Sequence, residues 1–411
     1  MKIEIITIGD ELLSGDIIDT NASYLSESLW SEGLEVAYHT SVRDDAVTMK
    51  EALLVASRRA QLVVVSGGLG PTADDFTLEV AAKTFKRPLI TDENYVSYLK
   101  NLFRKWGREL SENNRKQALV PKGSKTFQNR VGTAPGVGLK FRQTQFYFLP
   151  GVPKELKQIF SDFVLPEILL QRKRGEVFEF KLLRCFGSAE ADLDSALKDL
   201  YVNRLDIAGV RVGFRAHFPE TLIKLSAWSA KAQSARKNIA EAERVIRERI
   251  GKYVYGEGDA TLEGVVGDLL VKKEKTVSVA ESCTGGLIAH RLTNIPGSSR
   301  YFKNGVVVYS NEGKMAILGV SRDIIEKHGA VSGPCAIEMA QGIRRISKTD
   351  FGIAGPAGGT HEKPVGTVHI ALADSKGSHE MKFIFPHGRE WFKLLASSVA
   401  LEKLRRALIA T

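Results

Sequence analysis

Apolar residues fall into short β-branched runs and longer helical stripes that alternate along most of the chain. Residues 3–8 (IEIITI) read as a buried strand, and LVVVSGGLG at 62–70 is a second strand that ends in glycines. Between them, Asn21–Trp30 sets Leu25 and Leu29 one helical turn apart, and Met49, Leu53 and Ala56 mark a further helix. Strands separated by helices in this order predict a parallel sheet covered on both faces. From about 177 to 255 the pattern changes. Strands at 177–184 and 221–228, a helix from Glu190 to Leu200 and the charged helix AQSARKNIAEAERVIRERI predict a small α+β region. Alternation returns from Thr261: helix 262–273, strand 276–280, helix 285–293, strand 305–309, helix 312–318, then a helix capped by Ser332 and running to about Ser347. Strands near 365–373 and 380–385 precede a last helix striped by Trp391, Leu394, Leu401, Leu404 and Leu408. The expected fold class is α/β in three domains, 1–172, 173–257 and 258–411, with QRKRGE at 171–176 and GEGDA at 256–260 as linkers.

Composition adds limits. At 43% hydrophobic and 26% charged the chain is globular in type, and no apolar run approaches the ~18 residues of a membrane span. Acidic residues in MKIEIITIGDELLSG leave no apolar core for a signal peptide. The three cysteines, Cys185, Cys283 and Cys335, are odd in number and scattered, so neither a disulfide framework nor a metal cluster is expected. A cytoplasmic protein without a membrane partner follows as the expectation. The net charge of +10 and pI near 9.3 suit either nucleic acid or phosphorylated substrates. No Lys/Arg block has the length of a nucleic-acid patch, and the excess is spread over faces such as QRKR at 171–174.

Two polar clusters of the first region, GDELLSG at 9–15 and SGGLGPTADDFT at 66–77, follow strands directly. Ligands of parallel sheets lie there. Glycines let backbone N–H groups approach a phosphate. Asp74 and Asp75 would repel a bare phosphate, which calls for a divalent cation between them, and Asp10, Glu11 and Asp44 follow other strands and can join. The plain alternative is that Asp74 or Asp75 caps a helix and the glycines only turn the chain. Two Gly/Pro loops, NRVGTAPG at 129–136 and FLPGVPKEL at 148–156, present Thr133 and Glu155.

In the last region VSVAESCTGG puts Ser282, Cys283 and Thr284 in consecutive positions before Gly285 and Gly286, between a strand and a helix. That is a nucleophile's turn, an anion cradle, or an ordinary turn. In VVVYSNEGK, Tyr309 ends a strand and Lys314 sits in the first turn of a helix, where the positive helix end and burial lower its pKa toward that of a usable base. Intrinsic reactivity favours Cys283 as nucleophile, but no histidine is visibly paired with it, His290 and His328 being the candidates.

GDELLSGDIIDTN, SGGLGPTADDFT, GTAPG and LPGVPKE, in this order, resemble the N-terminal, molybdopterin-binding-like domain of the CinA family (competence/damage-inducible protein A). Residues 190–220 resemble its KH-like middle domain, and AESCTGG, GSSRYFKNGVVVYSNEGK, HGAVS and EKPVGTV its C-terminal domain. The resemblance implies an ADP-ribose pyrophosphatase that uses a Mg, Mn or Co type metal, with Asp44 and Asp75 on its acidic positions and Gly67, Gly68, Gly70 and Thr72 on its phosphate loop. It also implies a nicotinamide mononucleotide deamidase with no cofactor, in which Ser282 is nucleophile, Tyr309 and Lys314 its activating partners, and Thr284, Gly285 and Gly286 the anion-binding turn. Gly355, Gly358 and Gly359 belong to a Gly-rich loop expected to border that substrate. ISKTDFGIAGPAGG departs from the family pattern: the strand and hydroxyl residue before this loop look deleted over 349–356, which implies an impaired amidase. FPHGRE similarly lacks the family's Asp. The expected partners are small phosphorylated nucleotides and a second copy of the chain. The middle region has no GXXG clamp, which argues against nucleic acid. The alternative reading is a non-catalytic protein, either pterin- or nucleotide-binding or a nucleic-acid-associated competence or damage-response protein.

Overall fold

In the computed structural model, residues 1–170, 177–202, 209–355, 357–360, 363–386 and 388–410 are described. QRKRGE at 171–176, Pro356, His387 and part of the 190–220 stretch therefore lie outside them. The chain divides into two compact units, Met1–Glu179 with Trp228–Ala232, and Phe180–Ala227 with Gln233–Thr411.

The apolar runs of the first unit form strands β1 (Ile3–Ile8), β2 (Val36–Val42) and β3 (Leu62–Ser66), followed by the short pair β4 (Leu89–Thr91) and β5 (Leu119–Pro121). Then come β6 (Lys125–Phe127), β7 (Gly136–Phe141) and β8 (Thr144–Leu149). The main sheet has the order β2-β1-β3-β8-β7-β6. Its β2, β1, β3 and β8 run parallel, but β7 is reversed and pairs antiparallel with both β8 and β6, so the sheet is mixed where a parallel one was predicted. The cause is local: only Arg142 and Gln143 separate β7 from β8, with Arg142 at φ 54°, and so short a link can only reverse the chain. Every residue of β1 and β3 is buried, because helices cover both faces. The helix Ala46–Arg59 begins on an Asp45 carboxylate that accepts from the Thr48 N–H at 2.8 Å.

In the α+β region, β9 (Val177–Cys185), β10 (Val210–His217), β11 (Glu220–Ser229) and β12 (Val254–Glu257) pair in the order β10-β11-β9-β12. The helix Ala232–Ile250 buries Ala235, Ile239, Ala242, Ile246 and Ile250, a stripe at spacings of three and four that its many charges obscure in sequence.

The last region builds β13 (Val277–Glu281), β14 (Phe302–Val307), β15 (Phe351–Gly355), β16 (Ala357–Thr360), β17 (Lys363–Ala373) and β18 (Ser378–Ile384). Their order is β14-β13-β15-β17-β16, with β18 on the other edge of β17. β14, β13 and β15 are parallel and the others antiparallel. β15 corrects the sequence reading: the strand expected to be missing before the Gly-rich segment is present, and all its residues are buried. Its glycine is a packing requirement, since a Cβ on Gly352 would stand 2.2 Å from the carbonyl oxygen of Ala340 on the covering helix Gly333–Ser347. The hydroxyl residue is still absent from the positions directly before Ile353, which Phe351 and Gly352 occupy; Thr349, ahead of the strand, shares a 2.7 Å hydrogen bond with Ser278 of β13. The Gly-rich segment that follows is itself partly strand, with Gly358 opposite Thr367 in the β16–β17 pair.

Candidate functional site

The carboxyl end of the β3-containing sheet carries the first cluster. Gly67 and Gly68 turn the chain at φ 114° and 66°, and each is packed so closely that no side chain fits: a Cβ would meet the Ile8 carbonyl oxygen at 2.3 Å or the Thr77 hydroxyl at 2.1 Å. Gly70 is crowded by the Asp75 carboxylate, which accepts from the Thr72 N–H at 2.9 Å and from the Thr72 hydroxyl. Asp75 therefore holds the shape of the turn. Lys116 closes the same turn from outside, donating to the Asp75 carbonyl at 2.8 Å and pairing with Glu79 at 3.4 Å. A shallow cleft with a volume of about 20 Å³ lies here, lined among others by Gly68, Gly70, Asp75, Lys116 and Gln117. Lys116 and Gln117 were missed in sequence, where ENNRKQA looks like a polar helix end.

Of the remaining acids, Asp10 is paired with Arg43 at 3.0 Å and is held below the usual carboxylate range by it. Asp44 is pushed up, first by burial and then by Glu11, Asp10 and Asp74, with the Asp10 N–H at 3.0 Å partly opposing. Among the described residues no group of three or more His, Cys, Asp or Glu side chains is gathered to hold a metal ion. Asp10, Glu11, Asp44, Asp74 and Asp75 thus do not make a cation site from protein ligands alone. The excess negative charge at Asp44 fits a hard cation only where phosphate oxygens complete its coordination.

The two Gly/Pro loops are tied by Asn129, which is fully buried. Its amide donates to the Ala134 carbonyl at 2.8 Å and to the Glu155 carboxylate at 2.6 Å, while its oxygen accepts from the N–H groups of Val131 and Gly132. Burial pushes the Glu155 carboxyl up and Asn129 opposes that rise. Thr133 contributes its carbonyl to the Tyr95 hydroxyl at 3.0 Å.

The second cluster lies at the carboxyl ends of β13, β14 and β15, where register places Glu281 beside Val307 and Gly355. Ser282, Cys283 and Thr284 follow β13 and all are buried. The helix Leu287–Thr293 that comes next does not offer a vacant N-terminus. Glu281, 1% exposed, turns its carboxylate back onto it and accepts from Gly286 N–H at 3.1 Å, Ile288 N–H at 3.0 Å and Ala289 N–H at 2.9 Å. The anion position implied for Thr284, Gly285 and Gly286 is thus filled at Gly286 by the chain's own carboxylate, a filling that the apolar context of VSVAE concealed. The Thr284 hydroxyl, by contrast, is buried without a hydrogen-bond partner among the described residues.

Cys283 donates its thiol to the Gly355 carbonyl at 3.6 Å. Burial, reinforced by Glu281, pushes that thiol up to about 12, so it stays protonated. Lys314 is 2% exposed, and burial lowers its pKa while Cys335 and Cys283 partly offset the effect. Its ammonium donates to the carbonyls of Tyr309 and Ser310 at 3.3 and 3.5 Å. Tyr309 is 64% exposed and its hydroxyl accepts from Arg389 at 2.6 Å. No hydrogen bond joins Ser282 to Lys314 or Tyr309 among the described residues. Arg389 lies in the FPHGRE stretch, noted in sequence only for its missing Asp, and Lys393, whose ammonium would stand 3.4 Å from a Cβ on Gly285, was not singled out. A cation at the start of a helix opposes the dipole, and Arg389 carried that signal.

Three family profiles match in succession: a "Probable molybdopterin binding domain" over residues 4–169, the "Damage-inducible protein CinA KH domain" over 180–256 and the "CinA C-terminal domain" over 259–408. A CinA-like protein of Dictyoglomus thermophilum is 42% identical over 415 aligned positions, spanning 100% of both chains. The chain belongs to the CinA family. A second CinA-like protein, from Geotalea uraniireducens, is 40% identical over 100% of this chain and 98% of its own. A solved CinA structure from Thermoplasma acidophilum is 35% identical, covers 40% of this chain and 96% of that one, and has a TM-score of 0.38. The three-domain α/β architecture of the family is thus that of this chain. No helix among the described residues is long and apolar enough to cross a membrane.

Proposed function

We propose that the C-terminal domain hydrolyses the carboxamide of a pyridine mononucleotide, nicotinamide mononucleotide, to nicotinate mononucleotide and ammonia. The observation that carries this reading is that Ser282 and a buried, pKa-lowered Lys314 both follow the carboxyl ends of the adjacent parallel strands β13 and β14. Neutral Lys314 leaves the carbonyls of Tyr309 and Ser310 and takes the Ser282 proton as Oγ attacks the amide carbon. The tetrahedral adduct collapses as its C–N bond breaks, and Lys314 returns the proton to the departing NH₂ group, giving ammonia. Water then cleaves the seryl ester. The partnerless Thr284 hydroxyl donates to the oxyanion, and Arg389 and Lys393 face the phosphate. The test is ammonia release by the purified full chain. Release equal to that of Ser282→Ala overturns the proposal, and nucleotide binding without release favours the non-catalytic reading.

The first domain is proposed to cleave the pyrophosphate of ADP-ribose. Gly67, Gly68 and Gly70 shape the turn, and Asp44 and Asp74 would hold a divalent cation, which would supply screening of the phosphate charge. AMP release that needs added metal is expected, and metal-independent turnover refutes it. Asp75→Ala should lower turnover through loss of the turn, and unchanged turnover would refute that role.

A further inference from the structure

The middle α+β sheet touches the C-terminal region beside the candidate amidase site. β10 and β11 pair to their very ends, His217 opposite Glu220, so Phe218 and Pro219 form the tip of a hairpin. The Phe218 ring meets Trp391 edge-on, with centroids 4.3 Å apart at 61°. Trp391 is the third residue of the helix Arg389–Ala410, and its neighbour Phe392 is buried in the C-terminal core. At roughly 100° per residue, Trp391 projects about 200° away from Arg389, while Arg389 and Lys393 share the opposite face. On that face Arg389 donates to the Tyr309 hydroxyl at 2.6 Å, and a Cβ built on Gly285 would lie 3.4 Å from the Lys393 ammonium. The first turn of the helix is therefore clamped, with an aromatic ring on one side and the site's own residues on the other.

We propose that Phe218 is a positioning residue for the C-terminal site: through Trp391 it fixes the first helical turn, and with it Arg389 and Lys393 over the Ser282–Gly286 turn. The inference rests on the amidase reading for its kinetic consequence, though not for its structural one. A helix start lacks intrahelical partners for its first N–H groups and frays unless held from outside. Phe392 holds one side of this turn in the core, and Phe218 supplies the restraint next to Trp391. The KH-like domain, which lacks a nucleic-acid clamp, thereby acquires a role inside its own chain. Phe218 touches no reacting atom, so its loss weakens substrate placement and leaves the bond-breaking groups in place.

The experiment uses the full chain with Phe218→Ala, Trp391→Ala, the double variant and the ring-preserving Phe218→Tyr. Aromatic pairs of this kind correspond to roughly 2- to 10-fold effects. KM for nicotinamide mononucleotide should rise by about that factor in both alanine variants, with kcat within about twofold. The double variant should be no worse than the singles, and Phe218→Tyr should restore the parent value. In parallel, amide hydrogen exchange of residues 388–393 should quicken by about the same factor in Phe218→Ala while β13 is unaffected. If the parent chain releases no ammonia, the amidase proposal fails and the exchange comparison alone decides the positioning role. Unchanged exchange at 388–393, or additive effects in the double variant, overturns it.

Discussion

Replacing Glu281 by alanine removes the acceptor of N–H groups from Gly286, Ile288 and Ala289. A buried donor left unsatisfied costs about 1–3 kcal/mol. The Ile288 group is fully buried and bears that cost whole, whereas Gly286 and Ala289 are half-buried and water can reach them. The sum for alanine is then about 3–4 kcal/mol, and for Glu281→Gln, which keeps one acceptor oxygen, about half as much. The suitable assay is native-state amide exchange of 277–293 in the full chain, because a multidomain unfolding midpoint would mix contributions. At 1.4 kcal/mol per factor of ten, Glu281→Ala should speed opening of this segment by roughly a few hundred-fold. An acceleration below about fivefold at Ile288 and Ala289 would show that the carboxylate does not hold the helix start.

Other consequences are as definite. Burial lowers the Lys314 pKa from its ordinary 10.5, so the unfolded chain binds more protons than the folded one between the lowered value and 10.5, and stability rises with pH across that window. Lys314→Met should remove its share of that rise, read by pulse proteolysis of the C-terminal region at stepped pH, and the amidase rate of the parent should climb as pH passes the lowered value and level off above it. Asn129→Ala, which severs three hydrogen bonds within the 129–136 loop and one to Glu155 of the other, should cost the first unit about 3 kcal/mol in unfolding free energy; a loss under about 1 kcal/mol would refute that role. Gly352→Ala forces β15 away from the helix it touches and should lower the C-terminal region's stability by about 2–3 kcal/mol, measured by pulse proteolysis in urea.

Periodicity made most elements visible, because buried stripes and β-branched runs are written locally. Ser332 capping and the strand at 3–8 appear where the pattern puts them. β15 escaped for a physical reason: FGIAG is short and contains glycines that weaken a strand in isolation, and only the close approach of the helix Gly333–Ser347 requires Gly352. Motifs around Ser282 and Lys314 were legible as chemistry, but their partners were not. Arg389 lies 80 positions from the Tyr309 hydroxyl it grips, and Asn129 lies 26 positions from Glu155. Glu281 was hidden in plain sight, since nothing in VSVAE says that the last carboxylate folds back on the following helix.

That folded-back carboxylate has a bearing on how the region responds to salt. The site carries a built-in counter-ion for its helix dipole, so the strongest N–H donors are spoken for before any nucleotide arrives. In the proposed amidase, a substrate phosphate would then be met by long, partly solvated cations such as Arg389 and Lys393. Interactions of that kind fade over a Debye length of about 8 Å at 0.15 M ionic strength. If the domain acts on a nucleotide as proposed, its affinity should therefore weaken steeply as salt is added, while the turn that carries Ser282 keeps its shape.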